Sequence, residues 1–192
     1  MFRKSFMRRQ ALLLLPVFLA VTAAAPAASV VPATVVILVR HAERAPGTGD
    51  VPISEAGQAR ARALADVGKV AGVQVIITTQ FQRTKQTAGA LAEALGLTME
   101  TVATQAETAK HIADVAAAVK KHVGKTVLVV GHSNTVPAIV TALGGPKLAD
   151  LCDTEYDNLF TMVLDAEGGV RTVRGKFGAA TPVDASCGSM RD

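Results

Sequence analysis

Three short segments of the 192-residue chain hold the side chains best suited to chemistry. They are Arg40-His41-Ala42-Glu43-Arg44, Thr79-Gln80-Phe81-Gln82-Arg83-Thr84 and Gly131-His132-Ser133-Asn134. Two arginines with a histidine suit a dianion, because guanidinium forks match phosphate oxygens bidentately and stay charged. A neutral imidazole among them is a competent nucleophile toward phosphorus. The surrounding positive charge lowers the pKa of His41 and keeps a lone pair available near neutral pH. It also holds the equatorial oxygens as charge shifts during phosphoryl transfer. A second histidine, His132, can donate to the same oxygens. These cations supply the charge, so the chemistry requires no metal. It does require a carboxylic acid, to protonate the leaving alkoxide and then activate water.

The elements that must position these residues alternate apolar, β-branched runs with Ala-rich helical stretches. Thr34 to Val39, Val73 to Thr78 and Thr126 to Val130 read as buried strands, and Met99 to Val102 as a short one. Helices are expected from Glu55 to Ala71 behind a Ser54 N-cap, and from Arg83 to Leu95 before Gly96. Two more are expected from Ile112 to Val123 before Gly124, and from Val136 to Leu143 before Gly144. Asn158 to Leu164 and Val170 to Phe177 flank Glu167-Gly168-Gly169 as a β-hairpin. This alternation predicts a three-layer α/β/α sandwich, with a mostly parallel sheet and an antiparallel edge hairpin. Ligands of such sheets bind beyond the carboxyl ends of the strands. Each of the three segments follows a strong strand, so two histidines and two or three arginines converge on one sheet edge.

Val39-Arg40-His41-Ala42-Glu43, Arg83-Thr84 with Thr87-Ala88, and Gly131-His132-Ser133-Asn134 together resemble the histidine phosphatase superfamily, also called phosphoglycerate mutase-like. The resemblance spans roughly Val35 to Gly178. It implies that His41 is the phosphorylated nucleophile and that Arg40, Arg83 and His132 form the phosphate pocket. Ala42 stands where the family commonly has Gly. Arg40-His41-Ala42-Glu43-Arg44-Ala45-Pro46 also looks like the start of the acid phosphatase branch, which adds Arg44 to the pocket. That branch places Asp directly after the second His, and here Ser133 stands there. The proton donor is therefore open between Glu107, Asp114 and Glu43. Glu107 is preferred, because it lies in the segment where the smaller branch carries its donor.

Other readings of the same residues are weaker. Gly131-His132-Ser133-Asn134-Thr135 is similar to a nucleophile elbow, but the four histidines are His41, His111, His122 and His132, and none follows Ser133. His111 and His122 lack carboxylate or Cys neighbours at ligand spacing and read as surface residues of the helical region. A phospho-ligand binding protein without turnover and a phosphoglycerate mutase-type transferase remain the alternatives to a phosphatase.

The charge distribution bears on location. Lys plus Arg number 20 against 16 acids, a net +4, yet Arg3, Lys4, Arg8 and Arg9 lie in a leader with no acid. The apolar run Ala11 to Val21 is too short to span a bilayer and precedes Ala25-Pro26-Ala27. Residues 1–27 therefore read as a signal peptide, 28–178 as the phosphatase domain and 179–192 as a tail. The expected location is periplasmic or secreted. Without the leader the chain is neutral, which argues against a nucleic-acid partner. No second apolar run reaches spanning length. In an oxidising compartment Cys152 and Cys187 are expected to pair. The expected activity is hydrolysis of a small phosphomonoester with no cofactor.

Overall fold

The computed structural model describes residues 32–182. The leader and Cys187 lie outside them, and with Cys187 the expected pairing. Six strands and four helices follow one another as β1 (Thr34–Arg40), α1 (Glu55–Val70), β2 (Val75–Thr78), α2 (Gln82–Leu95), β3 (Met99–Thr101), α3 (Thr108–Lys120), β4 (Thr126–Gly131), α4 (Thr135–Ala142), β5 (Asn158–Leu164) and β6 (Val170–Lys176). The sheet order is β3-β2-β4-β1-β5-β6. β3, β2, β4 and β1 pair in parallel, whereas β5 and β6 add on antiparallel. This is the mixed α/β sandwich expected from the alternation of elements.

The central strands are continuous apolar runs because both sheet faces are covered. Successive side chains of a strand point to opposite faces. Val36 and Leu38 of β1 and Val127 and Val129 of β4 pack into the cluster with Val115, Val119, Ile139 and Val140 of α3 and α4. Ile37 and Val39, with Leu128 and Val130, join Leu64 of α1 and Ala88 and Leu91 of α2 on the other face. Shifting the β1 register by one residue would exchange these two sets, so the register Arg40↔Gly131 is well determined. That register sets the chain segments that leave β1 and β4 side by side.

α3 departs most from expectation. It begins at Thr108, one turn before Ile112, and ends at Lys120, short of Val123. Its N-cap, Glu107, makes no side-chain capping bond, so no capping signature marks the start. At the far end Lys121 N–H and His122 N–H bond the carbonyls of Ala118 and Val119, a tightened last turn that stops the helix before Val123. His111, expected at the surface, is 1% exposed. Its Nδ1–H donates to Ala103 O at 3.2 Å, tying α3 to the segment before it. Beyond β6 the chain stays attached: Arg60 donates to Ala179 O at 2.9 Å and Thr181 Oγ1 to Asp157 Oδ1 at 2.7 Å. Among the described residues no helix is long and apolar enough to cross a membrane.

Candidate active site

The carboxyl ends of β1, β2 and β4 open onto one cavity of about 280 Å³. It is lined by Arg40, His41, Arg44, Arg83 and His132, and by Ser133, Asn134 and Asp153. The structure thus brings together the five expected histidine and arginine side chains. Glu107 is not among the lining residues and stands exposed at the start of α3. Asp114 accepts from Lys110 Nζ at 2.8 Å and Gln105 Nε2 at 2.7 Å on the outer face of α3. Glu43 is held by Arg60, whose Nε and Nη2 donate to both carboxylate oxygens at 2.7–3.0 Å. Arg60 is 3% exposed, so this pair anchors α1 to the segment after β1 and lies outside the cavity lining.

His41 forms the floor and is 4% exposed. Its backbone N–H continues the sheet by donating to Gly131 O at 2.9 Å. Its Nδ1 lies 2.8 Å from Ala42 O. A carbonyl only accepts, so Nδ1 carries the proton and Nε2 keeps the lone pair. Thr87 holds this arrangement in place, because its Oγ1 accepts from Ala42 N–H at 2.8 Å and donates to Arg83 O at 2.6 Å. Burial pushes the His41 pKa from 6.5 down to about 3, with Arg40, His132 and Arg83 adding to the fall and the bond to Ala42 O opposing it.

His132 meets His41 edge-on, with ring centroids 5.4 Å apart. Its Nε2 lies 3.2 Å from Thr79 Oγ1, which lies 2.9 Å from Thr84 Oγ1. Thr84 donates to Phe81 O at 2.9 Å, so its oxygen must accept the Thr79 proton. Thr79 Oγ1 is then left to accept from His132 Nε2–H. The hydroxyl pair therefore fixes one tautomer of His132. Burial first, then Arg83, His111 and Arg40, bring its pKa down to about 4. Gly131 allows the tight turn here. A Cβ on it would stand 3.0 Å from Thr135 Oγ1, the atom that accepts His132 N–H at 3.0 Å.

The arginines play unlike parts. Arg40 is 4% exposed and its Nη1 donates to the carbonyls of Cys152, Asp153 and Glu155 at 2.7–3.2 Å. Its guanidinium lies 4.1 Å from the Tyr156 ring centroid, a cation–π contact. Arg40 thus clamps the loop between α4 and β5 over the site. Arg83 lies 4.2 Å from the Phe81 ring centroid, and its Nε and Nη1 are buried without hydrogen-bond partners. Buried donors of this kind are costly unless something accepts from them. Asp50 approaches Arg83 Nη1 only to 3.8 Å, an ion pair beyond hydrogen-bonding distance. Arg44 is exposed, at an isolated bridge to Ile53 that closes the segment between them. Unpaired guanidinium donors and two neutral imidazoles make a site for an anion of phosphate type.

Sequence reasoning missed four contributors. Thr79 and Thr84 lie in the segment that follows β2, but only folding shows that their hydroxyls form one chain with His132. Asp50 caps α2 from a distance, accepting Gln82 N–H at 2.9 Å where Phe81 offers no capping side chain. Asp153 follows no parallel strand, and a search of strand ends passes it by. The one signal was the acid run Asp150, Asp153, Glu155 and Asp157 before β5.

Comparison with known proteins agrees with this geometry. The model of the histidine phosphatase superfamily (branch 1) matches residues 36–109, which include His41 and Arg83. A protein histidine phosphatase, SixA, complexed with tungstate, is similar in fold at 19% identity and a TM-score of 0.57, covering 74% of this chain and 96% of its own. A mycobacterial glucosyl-3-phosphoglycerate phosphatase with VO3 is similar at 17% identity and a TM-score of 0.55, covering 76% and 99%. An Entamoeba histolytica phosphoserine phosphatase with 3-phosphoglyceric acid follows at 15% and 0.52, covering 77% and 98%. No curated protein sequence matches the chain. Over residues 36–109 the chain is thus similar to the histidine phosphatase superfamily (branch 1), and its fold is similar to that of these phosphatases.

Proposed function

We propose that the protein is an exported phosphomonoesterase that hydrolyses a small phosphate ester through a phosphohistidine on His41. The observation that carries this reading is the pairing of a buried neutral His41, its Nε2 lone pair free, with the unpartnered donors of Arg83 in one cavity. Arg83, Arg44 and the unpartnered Nε of Arg40 hold the phosphoryl oxygens, and the His132 ring lines the same cavity beside His41. Nε2 of His41 attacks phosphorus in line, and the P–O bond to the alcohol breaks. Water then cleaves the N–P bond, and its electron pair returns to Nε2.

The small volume favours a simple ester over a highly phosphorylated one, which would call for more cations than the cavity holds. Export rests on the leader, and it places the site where water is the available acceptor. That supports hydrolysis over phosphoryl transfer between sugar phosphates. Phosphatases among the fold relatives support the same reaction class. The testing experiment is a panel of phosphomonoesters with the protein lacking residues 1–27, with and without EDTA and vanadate. Turnover that survives EDTA and is lost to vanadate supports the reading. Tight phosphate binding without turnover of any ester, aryl phosphates included, would replace it with a binding protein.

A further inference from the structure

Phosphoryl transfer from an alkyl phosphate ester to His41 needs a proton for the leaving alcohol oxygen, and the described acids differ sharply in what they already hold. Glu43 is spent on Arg60 and Asp114 on Lys110 and Gln105. Glu155 accepts from Cys152 N–H at 3.1 Å, and Asp50 accepts from Gln82 N–H. None of these four, nor Glu107, lines the cavity. Asp153 does line it, and its side chain is fully exposed at 100%. Among the described residues its one charged partner is Arg40 Nη2, at 3.7 Å and beyond hydrogen-bonding distance.

The placement of Asp153 is built in. Three carbonyls of its loop are bound by Arg40 Nη1, one of them its own. Leu151 N–H donates to Ser133 O at 3.0 Å, fastening the loop to the segment that carries His132. The backbone is therefore held while the carboxyl stands open to solvent. In-line transfer puts nucleophile and leaving group on opposite faces of phosphorus. His41 is at the floor, 4% exposed, so the leaving oxygen faces the mouth, where Asp153 stands.

We propose that Asp153 is the general acid and base of the reaction, a role that rests on the phosphatase reading above. In the first step Nε2 of His41 bonds to phosphorus, and the P–O bond breaks with its electron pair on the alcohol oxygen. That oxygen takes the proton of the Asp153 carboxyl. In the second step the Asp153 carboxylate removes a proton from water as its oxygen attacks phosphorus on the same side. The N–P bond breaks, phosphate leaves, and Asp153 is again protonated.

Leaving-group dependence tests this. An alkyl phosphate needs the proton, whereas p-nitrophenyl phosphate leaves as a stabilised phenolate. Asp153→Asn should lower kcat/KM for an alkyl phosphate by about 100-fold. It should lower kcat/KM for p-nitrophenyl phosphate only several-fold, with phosphoenzyme accumulating because water is no longer activated. Asp153→Glu should recover part of the alkyl activity. Equal losses on both esters would reduce Asp153 to an electrostatic neighbour of Arg40 and overturn the proposal. Unchanged activity on the alkyl ester would overturn it too. If the unsubstituted protein turned over neither ester, the phosphatase reading itself would fail, and the proposal with it.

Discussion

A histidine that must act as a nucleophile needs its lone pair on the correct nitrogen, and a single backbone carbonyl decides this for His41. With Nδ1–H committed to Ala42 O, Nε2 is the reactive atom, and burial with cationic neighbours keeps it unprotonated until pH falls toward about 3. Two outcomes follow. His41→Ala should remove turnover by at least about 10⁴-fold with the far-ultraviolet spectrum unchanged. The pH–rate profile should show no loss of activity on passing downward through pH 6.5, the ordinary histidine value, since both site histidines titrate well below it. A limb centred near 6.5 would mean an unburied His41. His41, Arg40, Arg83 and His132 were legible in the sequence because each ends or follows a strand or opens a helix at a predictable sheet edge. The acid was not legible. Its role depends on which carboxylate folding leaves unspent, and spacing says nothing of partners such as Arg60 for Glu43.

Elements were legible where burial forces a pattern, as in TVVILVR of β1, apolar because helices cover both faces. They were less so where a bond from afar does the work. α2 is capped by Asp50 across 32 residues, and the same carboxylate stands 3.8 Å from Arg83. Asp50→Ala should therefore cost about 1 kcal/mol of stability in urea unfolding. It should also raise KM more than it lowers kcat, because Arg83 loses its nearest anion and its helix start loosens. A change in kcat alone would contradict this. Glu43 offers the converse case. Glu43→Gln leaves the buried Arg60 without its counter-charge and should cost about 3 kcal/mol. Its kcat should stay within a few-fold of the parent. A large fall in kcat at unchanged stability would restore Glu43 as a candidate acid.

The whole domain carries its positive charge locally. The excess of +4 lies in residues 1–27, and the cavity gathers Arg40, Arg44 and Arg83 around two neutral histidines. Burying neutral histidines ties stability to pH. The unfolded chain takes up protons at His41 and His132 near pH 6.5, while the folded one resists down to about 3 and about 4. Between these values the unfolded state binds more protons, so stability is lost as pH falls through that window. Urea midpoints should drop from pH 7 to pH 4, and His41→Gln should flatten the slope. A pH-independent midpoint would mean that neither histidine is desolvated. The central claim, a phosphoryl group carried on His41, is tested most directly by quenching turnover of a radiolabelled phosphate ester and mapping the label. The predicted result is an acid-labile, base-stable phosphoryl group on the peptide containing His41, absent from His41→Ala. Steady hydrolysis with no label on that peptide, or turnover by His41→Ala, would contradict it.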